Sequence, residues 1–287
     1  MFKSCPDPAL AAHITACWPL PGVRAGSALI RRHDRLLIVQ DDALAVILLD
    51  MATGTIQTLG LRKSQGTAMS KATKPDFELA VAGPDGAIVI LGSGSTPDRR
   101  RIAVLDPNDG QFSVADGDDL YAAVAEALGH TPNLEGAVRQ DETLRLFHRG
   151  AASQPSASIE LPWTAPTGGP ISVTAVVRLD LGTVAGVPLT LTDATIDGAG
   201  HTLYTAVAED TPNAIDDGPI VAMAIGILTD THGRWAPLTE PDGQPSTRKV
   251  EGIALDPGGR SGYLVTDPDD PALSAVLCRF ALTGPWS

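Results

Sequence analysis

One unit recurs along the chain and constrains its fold more than any other feature. The unit is an extended polar-to-apolar strand, a tight Gly/Asp/Pro turn, a second apolar strand and a closing polar cluster. Four copies are plain: KPDFELAVAGPDGAIVILGSGS from Lys74, NLEGAVRQDETLRLFHRGA from Asn133, LTDATIDGAGHTLYTAVAED from Leu191 and KVEGIALDPGGRSGYLVTDPDD from Lys249. A weaker copy, GSALIRRHDRLLIVQDD, begins at Gly26. Glu78 and Glu135 lie 57 positions apart, and Glu135 and Glu251 lie 116 apart with the Asp193 copy between them, so the period is steady.

A repeat of roughly 40–60 residues with several short strands is the mark of propeller blades, small antiparallel sheets whose faces are buried only by their neighbours. Five such units fill the 287 residues as one domain, residues 1–287. The predicted fold is therefore all-β: a five-bladed β-propeller with blades near 23–72, 73–131, 132–189, 190–247 and 248–287. The second blade supplies FELAVAG, AIVILGS, RRIAVLD and QFSVAD before an apparent helical insert, LYAAVAEALGH, near residues 120–130. The fifth copy runs out of chain after three strands. Its fourth is expected from residues 8–20, through AAHITACW, which would set Cys17 and Cys278 on neighbouring strands and remove an exposed sheet edge. Composition agrees, since 29 Gly, 23 Pro and 4% aromatic residues describe a turn-rich chain of short aliphatic strands.

The innermost strand of a blade and its antiparallel partner place the start of one and the end of the other on a common face. First-strand starts carry Lys74, Asp76, Glu78, Asn133, Glu135, Asp193, Lys249 and Glu251; second-strand ends carry Asp41, Ser93, Arg149, Glu209, Asp210 and Asp267. These residues are expected around one channel mouth, with Gly26 leaving a gap in the ring as a way in. Oxygen donors that converge suit a hard divalent cation such as calcium or magnesium, which makes Glu78, Asn133, Glu135, Asp193 and Glu251 the candidate metal ligands. Glu78, Glu135, His148, Arg149, Lys74 and Lys249 are the candidate catalytic and substrate-holding residues. The competing account gives the carboxylates hydrogen bonds between neighbouring blades and the lysines ion-pair roles.

Other signals bound the function. With 21 Lys+Arg against 34 Asp+Glu, the formal charge of −13 repels nucleic acid and anionic membranes, leaving a small molecule as the expected partner. No stretch approaches membrane-spanning length and no secretory signal is evident near Met1, so the sequence reads as cytoplasmic. Three cysteines without CxxC spacing read as reduced thiols. GSGSTP at 92–97 reads as a blade loop, with Ser93 a nucleophile candidate lacking an assured base, and AEDTPNAIDDGP at 208–219 as an acidic rim.

At KPDFE, NLEGA, AEDTPNAIDDGP and KVEGIAL the sequence resembles a group of uncharacterised bacterial propeller proteins, distantly similar to the esterase-like-activity-of-phytase domain. A looser similarity is to calcium-dependent propeller lactonases and paraoxonase-like esterases, where a metal at the channel mouth polarises an ester or phosphoester. Those have six blades. The resemblance implies metal-assisted hydrolysis of small esters, lactones or phosphoesters, against which stands a non-enzymatic binding propeller with a structural ion-pair ring. Paired carboxylates for sugar chemistry are a third possibility, and the low aromatic content argues against it.

Overall fold

The computed structural model describes residues 1–60, 69–70, 73–151, 154–211, 218–270 and 272–286; residues 212–217 of the acidic segment lie outside these. The chain is an all-β propeller whose strands pair up-and-down within successive units. Gly26–Arg32, Arg35–Gln40, Ala45–Asp50 and Ile56–Gly60 form the first. Phe77–Ala82, Ile88–Gly92, Arg101–Leu105 and Phe112–Asp116 form the second. The third comprises Leu134–Gln140, Thr143–His148, Ser156–Pro162 and Ala175–Asp180. In the fourth, Val187–Ile196, Thr202–Glu209, Ile220–Leu228 and Gly233–Thr239 pair in order. Val250–Leu255, Ser261–Thr266 and Val276–Thr283 make the fifth, completed by Ala11–Pro19 from the other end of the chain. A short strand, Phe2–Pro6, bridges the outer strands of the third and fourth units in parallel and fuses their hydrogen-bond networks.

Local sequence explains the hairpins. The turn after each first strand requires one left-handed residue, supplied by His33, Gly86, Asp141, Gly200 and Gly259. Glycine adopts this conformation freely, and Asp141 and His33 are among the side chains that tolerate it. Helix α1, Asp118–Leu128, follows the second unit; it opens on two acidic residues that favour its positive end and stops at Gly129 in the left-handed conformation. Its Leu120, Tyr121, Val124 and Leu128 face the core, and Tyr121 Oη donates to the Gly92 carbonyl at 2.7 Å.

Hydrophobic cores lie between consecutive units. Leu79, Leu91, Leu146 and Ile159 join the second to the third, and Leu191, Tyr204 and Phe147 join the third to the fourth. Val207, Met223, Leu264 and Phe280 join the fourth to the fifth, while Val39, Val46, Phe77 and Ile90 join the first to the second. Leu29, Ile38, Ala254 and Val265 bring the fifth against the first, so apolar burial itself closes the ring.

The closing strand also brings a correction. Cys17 lies directly opposite Cys278 on antiparallel strands, Cα atoms 4.1 Å apart, and the two form a disulfide rather than reduced thiols. Cysteine count and spacing could not show this, because the partners are 261 positions apart and meet only through ring closure. Cys5 remains a free thiol.

Candidate functional site

The polar residues at the channel mouth are set by a β-bulge repeated in every first strand. Pairing registers slip between Gly26 and Ala28, Phe77 and Leu79, Leu134 and Gly136, Leu191 and Asp193, and Val250 and Gly252. A bulge sets two residues against one and re-aims the extra side chain. The equivalent extra residues are thus Ser27, Glu78, Glu135, Thr192 and Glu251. Sequence alignment by polar residue placed Gly26 and Asp193 in this series, one position off in each case.

Both misplacements have physical consequences. Ser27, not Gly26, is the counterpart of the glutamates, and its Oγ donates to the Phe77 carbonyl at 2.5 Å, tying the first unit to the second. Gly26 is no gap: a Cβ there would lie 2.5 Å from Val265 Cγ2, so its bareness lets the fifth unit pack against the first. Asp193 accepts main-chain N–H bonds from Ala194 at 2.7 Å and from Ile253 of the next unit at 2.8 Å. One carboxylate oxygen is thereby spent on each neighbour, and Asp193 acts as a clasp between units. Burial pushes its carboxyl well above the usual range, with these two N–H bonds pulling the other way.

The second strands end in Asp41, Ser93, Arg149, Glu209 and Asp267. Main-chain bonds recur at this level, with the N–H of Asp41, Ser93, Arg149 and Asp267 donating to the carbonyls of Ala25, Asp76, Asn133 and Lys249. Charged side chains then meet in three groups. Lys74 contacts Asp41 and lies 2.9 Å from Asp76, whose other oxygen meets Arg99 at 3.0 Å and Ser93 Oγ at 2.5 Å. Arg149 bridges Glu209 at 2.8 Å and Glu135 at 3.7 Å, and Asn133 Nδ2 donates to Glu135 at 2.8 Å. Lys249 sits 2.5 Å from Asp269 and 3.8 Å from Glu251.

This mouth holds acids that ionise reluctantly. Burial pushes Glu135 up to about 8 against the pull of Arg149, and Glu251 up to about 7 against Lys249 and Arg149. Asp41 is raised to about 7 by burial despite Lys74, and burial together with Asp76 and Glu135 raises Glu78 well above the carboxylate range. Burial alone would lower the lysine and arginine values, yet Glu78 and Asp41 hold Lys74 above its usual range, and Glu135 and Glu251 do the same for Arg149. Lys249 is likewise raised, by Glu251 and Asp269. One oxygen of Glu251 is buried without a hydrogen-bond partner.

The proposed five-ligand set is dispersed. Glu78 joins Asp41 and Asp76, whose ligand oxygens all lie within 4.8 Å of one another, the one such carboxylate group among the described residues. Asn133 and Glu135 bond to each other, Asp193 is held by main chain, and Glu251 faces Lys249. His148 is a further correction: it points away from the mouth, 3% exposed, with Nδ1 accepting the Asn133 N–H at 3.0 Å and its ring 4.9 Å from that of His130. Burial, His130 and Arg178 pull it down to about 4, so it stays neutral at physiological pH. Strand alternation explains the displacement, since adjacent Arg149 takes the side facing the mouth.

Ser93 is fully buried, and the 92–97 loop closes on Pro97–Arg99, a single 3-10 turn, so it offers no helix end to a phosphate. Sequence reasoning missed Arg99, in the 3-10 turn beyond the second copy, and Asp269, within the closing polar cluster of the last copy, which complete two of the three charge groups.

No curated protein matches the chain. Among solved structures, Myxococcus xanthus glutaminyl cyclase superposes with a TM-score of 0.56 at 10% identity, over 99% of each chain. A luciferin-regenerating enzyme gives 0.49 at 10% identity, over 94% of this chain and 95% of the other. A protein described as a putative gluconolactonase gives 0.42 at 13% identity, over 87% and 72%. At such identities the likeness is one of fold. A family profile matches residues 22–282, and the chain accordingly belongs to DUF6929, a family of unknown function.

Proposed function

We propose that this chain is a five-bladed propeller hydrolase of a small ester, lactone or phosphoester, assisted by a hard divalent cation such as calcium at the channel mouth. The observation that carries this reading is the approach of Asp41, Asp76 and Glu78 to within 4.8 Å, an all-oxygen donor set contributed by two neighbouring units. Lys74 now balances that charge, so a divalent ion would enter in competition with it. A bound cation would polarise the substrate oxygen and acidify water.

The remaining groups suit the proton transfers. At neutral pH the raised Glu135 retains its proton and can give it to a departing alkoxide, while an ionised Glu251, with its free oxygen, can take one from the attacking water. Water's oxygen then forms the new bond to carbon or phosphorus as the bond to the leaving oxygen breaks. In this reading Arg149 and Lys249 would hold an anionic group of the substrate in competition with Glu209 and Asp269. Because Cys17 and Cys278 are joined, the reading also favours an oxidising compartment over the cytoplasm.

The test is a calorimetric titration of calcium into chelator-treated protein, repeated with Glu78→Gln and Asp76→Asn, alongside a panel of ester, lactone and phosphoester substrates. One saturable ion, lost in both variants together with turnover, is the expected result. A second reading is a binding propeller, favoured by the near-complete pairing of Lys74, Arg149 and Lys249 with carboxylates. It predicts no calcium binding, no turnover and destabilised variants.

A further inference from the structure

The channel has a second mouth, of different character, at the far ends of the same first strands. A cavity of about 540 Å³ opens there, lined by residues of all the first strands and floored by Leu29, Ala80, Ala137 and Ala194. Its deep lining is aliphatic, while Arg31, His33, Arg139, Thr195, Asp197 and Asp256 make about half of the exposed wall polar. The volume lies within the range of about 300–1,000 Å³ usual for small-molecule sites.

Charge distinguishes the two ends. Asp256 at this rim is held between Arg31, which shares the lining, and Arg279, which lies outside it in a neighbouring hollow beside Asp34. Asp197 is turned back on its own hairpin, accepting the main-chain N–H groups of Ala199 and His201 at 2.8 Å and facing the His201 ring at 3.1 Å. Arg139 meets the Asp141 carbonyl at 2.7 Å and lies 5.5 Å over the Trp163 ring; among the described residues it has no carboxylate partner. The lining pairs Arg31 and Arg139 with Asp197 and Asp256 in number, but both carboxylates are already engaged, which leaves the Arg139 guanidinium as the charged group open to an anion. A guanidinium presents a planar fork of donors that matches a carboxylate or a phosphate.

We propose that this second mouth binds a small organic anion with an aliphatic body, the body on the alanine floor and the carboxylate or phosphate head on Arg139 and the Arg31 side of the rim. The site is independent of the chemistry proposed for the opposite mouth. Its test is calorimetry of the full chain with hexanoate and hexyl phosphate, against hexylammonium and hexanol. Saturable binding of either anion, at least tenfold tighter than the amine and the alcohol, is expected, and the preferred anion tells which head group the rim selects. Arg139→Gln should weaken that binding at least tenfold. Ala82→Phe, at an exposed position on the lining, should block the mouth without disturbing the fold. Failure of both anions to bind, equal binding of hexylammonium, or binding undiminished in Ala82→Phe would each overturn the proposal.

Discussion

Glu135 lies 3.7 Å from the Arg149 guanidinium, yet its carboxyl is pushed up to about 8. Burial is the larger influence, and the nearby Glu251 adds to it. The folded protein therefore binds a proton that the unfolded chain releases near the ordinary glutamate value. Across the interval from about 4.5 to about 8 the native state holds more protons, so this group's contribution to stability falls as pH rises. Glu135→Gln, which cannot ionise, should make the decline in Tm between pH 5 and 8 shallower. An unchanged slope would mean that the carboxyl is already ionised.

His148 has the opposite sign. Its folded value of about 4 lies below the ordinary 6.5, so the unfolded chain binds more protons in that interval. Stability is fully present above pH 6.5 and is lost as pH falls toward 4. At 1.36 kcal/mol per unit the upper bound is about 3 kcal/mol. His148→Gln, which keeps an acceptor for the Asn133 N–H, should flatten the acid side of the Tm profile and leave ester turnover intact, because His148 does not reach the mouth. Loss of turnover with unchanged stability would restore His148 to the chemistry.

Much of the architecture was legible because a repeat is visible without its structure. Strand pairs, the helical insert and the role of Ala11–Pro19 follow from period, turn residues and the missing strand of the fifth copy. The site was legible to within one residue and no better. Strand alternation assumes a period of two, and a bulge at Thr192 or Ser27 breaks it without any sign in residue type. Glu78, Glu135 and Glu251 announced themselves because their copies share a glutamate; Ser27 and Thr192 share nothing with it. His148 was misjudged by the same arithmetic, being one step from Arg149 and hence on the other face.

Asp193 offers a direct separation of structural and metal-binding roles. With both oxygens accepting main-chain N–H groups, Asp193→Asn replaces one acceptor by a donor and leaves a buried N–H of Ala194 or Ile253 unmet. The cost expected from such an orphaned group is about 1–3 kcal/mol, measured by urea unfolding. Calcium affinity should be unchanged. Loss of calcium binding at full stability would return Asp193 to the ligand set.

The fourth unit seats itself against the third through Gly136, where a Cβ would come 2.9 Å from the Ala194 nitrogen and 3.2 Å from Asp193 Cα. Both neighbours are backbone, so neither can swing aside. Gly136→Ala should push the two units apart just beside Glu135, with a loss of about 1–3 kcal/mol of the kind seen on overpacking. Because that displacement would lengthen the reach from Arg149 on the third unit to Glu209 on the fourth, turnover of an anionic substrate should fall more than stability alone explains. A variant with lowered Tm and unaltered KM would place the anion-holding function elsewhere than on this arginine.

Ring closure itself can be tested through the disulfide. The Cys17–Cys278 bond spans 261 positions, and in the chain-entropy account a link over so long a loop restricts the unfolded ensemble by about 5–6 kcal/mol. Reduction, or Cys17→Ala, should lower the urea midpoint correspondingly without changing the far-ultraviolet spectrum, since the strand is also held by its pairing with Val276–Thr283 and by Ala12, Ile14 and Phe280 in the core. If reduction leaves the midpoint unmoved, strand pairing and apolar burial suffice to close the ring, and the bond contributes little beyond them.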